Sequence, residues 1–205
     1  MELSTSCECS ASHPGTDRPS PWVAAHLPVA EAGQRLLDVA CGGGRHTRLA
    51  LARGYLVTAV DRDVAQMADL AGQPRVEIVA ADLEMDRGDM ATAPPFAGKT
   101  YDVVIVTNYL WRPLFPAIVS AVAPGGLLIY ETFARGQEAF GKPSNPDFLL
   151  EPGELLARMC PELIPIAFEQ GLLTGPDRFV QRLTAAGRER SIHHPLPSIR
   201  PETAV

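Results

Sequence analysis

No apolar run in the chain approaches the length of a membrane span; the longest candidates, such as residues 103–106 and 127–130, are far too short. An amino-terminal apolar stretch of the signal-peptide kind is also missing, and nothing repeats at a solenoid period. Membrane-spanning, secreted and repeat architectures are therefore not expected. Positive charge is in deficit, with 18 Lys and Arg against 24 Asp and Glu and a formal net charge of −6. Such a molecule as a whole does not attract phosphate backbones or anionic lipid, which argues against a nucleic-acid partner and against a membrane surface. Cysteine is sparse: Cys7, Cys9, Cys41 and Cys160 are too few and too scattered for a disulfide scaffold. A cytoplasmic location is the expectation.

What is present suits one domain of ordinary size. The 205 residues are 46% hydrophobic and 20% charged, and 17 Gly and 19 Pro fall where an α/β protein places its turns. Residues 1–20 are small and polar and read as a flexible tail; residues 186–205 are polar and proline-rich and read as another. The domain is expected over residues 21–185. Within it, apolar strands are predicted at 36–40, 55–60, 75–80, 101–107 and 127–133, separated by short helices at 45–53, 64–71 and 113–122, the last with Pro116 as an unexpected break. A helix at 151–159 and two terminal strands at 162–169 and 178–184, joined by a hairpin-like loop, complete the chain. Strand, glycine turn and helix in succession give a doubly wound, mostly parallel sheet with helices on both faces.

The first strand breaks into Gly42, Gly43 and Gly44. Glycines there permit positive φ and let backbone N–H groups approach a ligand, although a bare tight turn is the alternative. A dinucleotide fingerprint would place a third glycine at position 47, where Thr47 stands, and no lysine follows for a P-loop. Asp61 closes the second strand nineteen residues after Gly42, and Asp82 lies just past the third. In a doubly wound sheet both reach the edge beside the glycine turn, where Asp61 can accept hydrogen bonds from a ribose diol and Asp82 can meet an adenine amine. Glycines and carboxylates together outline an adenosine-shaped cleft.

The pieces LLDVACGGGRHTRLALARG, VTAVDRD, AADLE, YDVVIVTNYLWRPLF and PGGLLIYET resemble the class I S-adenosylmethionine-dependent methyltransferases, particularly the small single-domain type similar to the tellurite-resistance methyltransferase group. The resemblance implies a Rossmann-like seven-stranded sheet of order 3-2-1-4-5-7-6 with its last strand antiparallel. It implies S-adenosyl-L-methionine as cofactor and S-adenosyl-L-homocysteine as product. Asp38 and the turn with Gly42 and Gly44 would hold the methionine part, Asp61 the ribose, Asp82 and Leu83 the adenine, and Asn108 the methionine or substrate end, with Ala40, Cys41 and Arg62 as further cofactor-binding residues. The turn departs from the usual E/D-x-G-x-G-x-G at Ala40. DPPY or NPPY is absent after the fourth strand, which argues against amino methylation of adenine in DNA.

Methyl transfer from a sulfonium needs mainly proximity and orientation; only a phenol or alcohol acceptor requires a base. Asn108, Tyr109 and His46 are the candidate catalytic residues, and Arg45, Trp111, Arg112, Glu131 and Arg135 the candidate substrate-binding ones. For His46 a capping or supporting role is favoured over that of a base, and Trp111 serves equally as core. Residues 133–149 form a long excursion, either a lid carrying Arg135 and Lys142 or a surface loop pinned by Phe140 and Phe148. Cys7 and Cys9 with His13, and His193 with His194, lack the spacing and scaffold of a zinc site, so no metal is expected. The reading is a small-molecule methyltransferase, monomeric or homodimeric. A nicotinamide-dependent oxidoreductase, a non-catalytic adenosine-binding module and, as a minority, an RNA methyltransferase are the alternatives.

Overall fold

The computed structural model describes residues 18–84 and 93–189. The predicted tails, apart from residues 18–20 and 186–189, lie outside the described residues, as do Cys7, Cys9, His13, His193 and His194.

Seven strands form one sheet in the order β3-β2-β1-β4-β5-β7-β6. Its centre is β1 (Arg35–Val39), flanked by β2 (Leu56–Asp61) and β4 (Tyr101–Thr107), with β3 (Val76–Ala80) at one edge. These four strands and β5 (Val122–Phe133) run parallel, each followed by a crossover. The terminal hairpin β6 (Ile164–Leu173) and β7 (Arg178–Ala186) inserts with β7 antiparallel to β5, in the register Glu131 to Arg182. Antiparallel insertion brings the beginning of β7 to the same edge at which the parallel strands end. That topology is the one the family resemblance implies.

The alternation of buried side chains sorts neighbours to opposite faces, as in Leu36 and Leu37. One face is covered by α1 (Pro21–His26) and α2 (Arg45–Ala52), which bury Trp22, Val23, Ala50 and Leu51. On the other lie α3 (Phe115–Ser120) and α4 (Glu154–Met159) with Phe115, Ile118, Leu155 and Met159. Both faces are thus apolar and covered, so the central strands read as unbroken apolar runs.

Three local expectations change. Residues 65–70 form a 3-10 helix rather than an α-helix. Pro116 does not break its helix, because it sits in the first turn of α3 where a missing N–H loses no bond. Ser20, assigned to the tail, is 2% exposed and caps α1 by accepting from the Trp22 N–H at 3.1 Å. At the other end β7 runs to Ala186, and the Gly187 N–H bonds to the Gly126 carbonyl at 3.0 Å.

Candidate functional site

The carboxyl ends of β1, β2, β3 and β4 surround a cavity of about 410 Å³. Ala40 follows β1, Asp61 and Arg62 end β2, Asp82, Leu83 and Glu84 follow β3, and Asn108 and Tyr109 follow β4. The fifth wall is Phe148, from the excursion after β5. Parallel strands end here together, leaving loops to shape the opening, which is where open α/β sheets bind ligands.

Backbone strain is concentrated at this edge. Ala40 and Asn108 are the two non-glycine residues with positive φ among those described, at 53° for Asn108 and 52° for Ala40. Each costs about 1–2 kcal/mol relative to an ordinary conformation. The position of Ala40 is the one where the family pattern carries glycine, and the left-handed backbone is the reason.

The three glycines do different work. A Cβ on Gly42, φ 53°, would meet nothing within 4 Å, so this residue faces open space. At Gly43 it would meet Gln66 Oε1 at 2.9 Å, and at Gly44 Met67 Sδ at 2.6 Å. Gly43 and Gly44 therefore admit the 3-10 helix of residues 65–70 against the turn; Gly42 alone opens toward a ligand. Asp61 holds the turn in place: its Oδ2 accepts from the Gly42 N–H at 2.7 Å and its Oδ1 from the Asp63 N–H at 2.9 Å. Asp82 makes the same local turn, accepting from the Glu84 N–H at 2.9 Å. Cys41 is a small buried residue 3.8 Å from the Met67 sulfur, and burial pushes its thiol up, away from nucleophilic use.

Asp38 lies beneath the turn. Thr47 Oγ1 donates to its Oδ2 at 2.7 Å, whereas its Oδ1 has no partner among the described residues. Burial pushes this carboxyl up to about 7. Thr47, standing where a dinucleotide fingerprint has glycine, is thus the residue that orients Asp38.

Several expected site residues sit elsewhere. His46 is 1% exposed and outside the cleft: its Nε2 accepts the Ser20 N–H at 3.0 Å and its Nδ1 lies 3.2 Å from Thr107 Oγ1. Both ring nitrogens are engaged, and burial with Arg45 nearby lowers its pKa to about 3, so it is a neutral structural group and no base. Arg112 does not face an acceptor. Its Nε and Nη2 grip Glu154 at 2.7 and 2.8 Å, while Nη1 and Nη2 donate to the carbonyls of Asp147 and Leu149 at 2.8 and 2.9 Å. The excursion is therefore latched, with Phe148 held at the cleft between those two carbonyls. Arg135 pairs with Glu151 at 2.8 Å on an exposed surface, away from the cleft. Trp111 packs against the core beside α3. Tyr109 lines the cleft; its hydroxyl has no partner among the described residues, and burial followed by the charges of Glu84 and Asp82 raises its pKa.

Arg45 and Glu131 are brought together on the α2 face. Glu131 is fully buried, accepts from Ser20 Oγ at 3.1 Å, and lies 3.8 Å from Arg178 and 3.7 Å from Arg182. Sequence reading did not single out Ser20, Thr107, Arg178 or Arg182, since none falls in a recognisable spacing; it marked Thr47 only as a departure from a dinucleotide fingerprint, and it did not place Phe148 in the cleft. Among the described residues, no group of three or more His, Cys, Asp or Glu side chains is arranged to hold a metal ion, and no helix is long and apolar enough to cross a membrane.

The methyltransferase-domain family matches residues 36–126, from the first central strand through the turn that leads into β5. A ubiquinone biosynthesis O-methyltransferase of Azotobacter vinelandii is 31% identical over 127 residues, which cover 58% of this chain and 52% of that protein. The chain spans about half the length of the curated relatives it matches. Among solved structures, TehB from Haemophilus influenzae superposes with a TM-score of 0.59 at 16% identity, covering 77% of this chain and 58% of TehB. An S-adenosylmethionine-dependent methyltransferase from Mesorhizobium loti superposes at 0.61 and 16% identity, covering 81% and 96%. Residues 36–126 are therefore similar to the methyltransferase-domain family, and the strand order of the whole sheet is that of the class I S-adenosylmethionine-dependent methyltransferase fold.

Proposed function

We propose that the chain transfers a methyl group from S-adenosyl-L-methionine to a small-molecule acceptor by direct displacement, releasing S-adenosyl-L-homocysteine. The observation that carries this reading is the cleft itself, with paired carboxylates at the ends of β2 and β3 facing a strained, open glycine turn. The residues fit such a cofactor. Asp61 keeps acceptor capacity for a ribose diol, since each oxygen receives one backbone N–H and has a further lone pair. Asp82 with Leu83 lines the part of the cleft suited to adenine, and Arg62 borders the ribose region. The unpartnered Oδ1 of Asp38 and the open side of Gly42 provide for an ammonium and carboxylate end, and Asn108 lines the cleft at the end of the neighbouring strand β4.

When bound, the cofactor's sulfonium supplies a methyl carbon on a good leaving group. This chain's contribution is to bind and orient. His46 is buried, neutral and committed at both nitrogens, and Tyr109 holds its proton more tightly than a free phenol, so neither is poised to abstract one. Tyr109 can instead donate a hydrogen bond from the cleft wall. Acceptors that carry their own anionic nucleophile, such as a thiolate, suit this set of residues better than alcohols.

Calorimetric titration of S-adenosyl-L-homocysteine and of NADH into the purified chain and its Asp61→Ala variant tests the reading. Binding of the homocysteine compound alone, weakened at least tenfold in the variant, is expected. NADH binding with no response to S-adenosyl-L-homocysteine would return the cleft to a nicotinamide enzyme.

A further inference from the structure

The cleft occupies the β3-β2-β1-β4 half of the carboxyl edge and leaves the β5-β7 half unused. In that second half the strand register lines up one polar row on the α2 face. Thr107 of β4 pairs with Glu131 of β5, Glu131 with Arg182 of β7, and Arg182 with Glu169 of β6. Arg178, two repeats of the pleat nearer the hairpin loop, reaches the same carboxylate. Arg45, in the first turn of α2 directly after the glycine turn, is half-buried within electrostatic reach of both Glu131 and Arg178.

Charge in this row does not balance. Arg182 is bonded to Glu169 at 2.8 Å and Arg45 donates to the Arg18 carbonyl at 3.3 Å, yet Arg45, Arg178 and Arg182, the last at 3.7 Å, all share the one buried carboxylate of Glu131. That carboxylate stands 3.8 Å from Arg178, beyond hydrogen-bond length, and already accepts from Ser20 Oγ. Three guanidinium groups are therefore held near one another with one distant, occupied counter-ion in common. Two buried atoms nearby also lack a partner among the described residues: the indole N–H of Trp22, itself 4% exposed, and the Nε–H of Arg182, whose guanidinium lies 5.0 Å from the Trp22 ring. Both are donors. Surplus positive charge with orphaned donors is satisfied by a group that only accepts hydrogen bonds and carries negative charge.

We infer that Arg45, Arg178 and Arg182 form an oxyanion subsite for the methyl acceptor, so that the acceptor is a small organic acid whose carboxylate or phosphate docks over β5 and β7. This rests on the methyltransferase reading for its chemistry. The dimensions agree with it. β7 is two strands from β4, about 10 Å, so an acceptor the size of a substituted aromatic acid places its nucleophilic atom over Asn108 while its anionic group meets the arginines. Glu131 then acts as a selectivity element, admitting one negative charge and repelling a second.

The experiment titrates acetate, benzoate, inorganic phosphate and the neutral isostere benzamide into the chain, with and without S-adenosyl-L-homocysteine, by calorimetry and by Trp emission. The expected result is that at least one of the anions binds and quenches or shifts the emission while benzamide does not. Arg178→Gln, at a partly exposed position outside the cofactor cleft, weakens that binding about tenfold and Arg178→Lys restores part of it, with S-adenosyl-L-homocysteine affinity within about twofold of the parent. Glu131→Gln, by removing the competing carboxylate, tightens the anion. Equal binding of benzoate and benzamide, no anion binding up to about 20 mM, or an anion affinity unmoved by Arg178→Gln would overturn the subsite. A chain that ignores S-adenosyl-L-homocysteine but binds the anion as described would instead count against the cofactor reading alone.

Discussion

Replacing Arg112 by methionine should weaken cofactor binding without touching the cofactor, because the guanidinium acts through Phe148. In the native chain it makes a two-pronged contact with Glu154 and holds the carbonyls on either side of Phe148. Glu154 is 9% exposed and Arg112 33%. Removing the guanidinium leaves the carboxylate with the Glu151 N–H as its remaining partner, at 2.9 Å. A fully buried pair broken this way costs about 3–5 kcal/mol; with Arg112 partly in solvent the expected loss is about 2–3 kcal/mol, or about 5–10 °C in Tm. The ring of Phe148 is 44% exposed at the cleft wall, and covering it with a bound heterocycle is worth about 1–1.5 kcal/mol. Phe148→Ala should therefore raise the Kd for S-adenosyl-L-homocysteine about tenfold at little cost in stability. Arg112→Met should raise it by a similar factor at a clear cost in stability. In the double variant the two Kd effects should not multiply, giving a coupling energy of about 1 kcal/mol. Calorimetry at a temperature well below every Tm is the assay. If the factors multiply, the latch does not position Phe148 for binding and the reasoning fails.

Two buried groups give opposite pH dependences. Asp38 has its folded pKa raised from 3.8 to about 7, so it favours the folded state below the lower value and loses that contribution as pH rises through the upper; His46, lowered from 6.5 to about 3, loses its contribution as pH falls. Between pH 7 and 5 each changes stability by about 2 kcal/mol, with opposite signs. Urea unfolding should find Asp38→Asn less stable at pH 5 than at pH 7 and His46→Gln the reverse; parallel slopes in the two variants would contradict both assignments. Ala40→Gly relieves a left-handed alanine and should be neutral to about 1 kcal/mol more stable, while Ala40→Val should lose about 2 kcal/mol, both read by thermal melting. Gly44→Ala forces a Cβ to within 2.6 Å of Met67 Sδ at a φ of 77°, and should destabilise by about 2 kcal/mol or more in the same assay.

The fold was legible because its information is local. Apolar runs as short and β-branched as 101–107 suit strands buried on both faces, and GGG after the first of them suits a turn, so parallel topology follows from the order of elements. The helix at residues 65–70 was legible but its 3-10 geometry was not, because six apolar and polar residues fit a 3-10 and an α-helix equally; Gly43 and Gly44 admit that segment by close approach, which periodicity does not record. The cleft side of the site was legible for the same local reason, since Asp61 and Asp82 end strands. The fate of His46, Arg112 and Glu131 was not. Each is settled by a partner far away in sequence, Ser20 for His46, Glu154 for Arg112 and Arg182 for Glu131, and no spacing rule connects residues 20, 131 and 182.

Because β7 runs against its neighbours, a single contiguous stretch, residues 164–186, delivers Arg178 and Arg182 to the edge where the other strands finish. Those residues lie beyond the 36–126 span that matches the methyltransferase-domain family. On the proposed reading the cofactor contacts at Asp61 and Asp82 fall inside that span, as does Arg45, whereas the other two arginines of the acceptor subsite fall outside it. Descent or engineering can rewrite the hairpin while copying the glycine turn unchanged: exchanging the hairpin alone should alter which anion the subsite accepts, and relatives with the same glycine turn can diverge in what they modify without any change at Asp61.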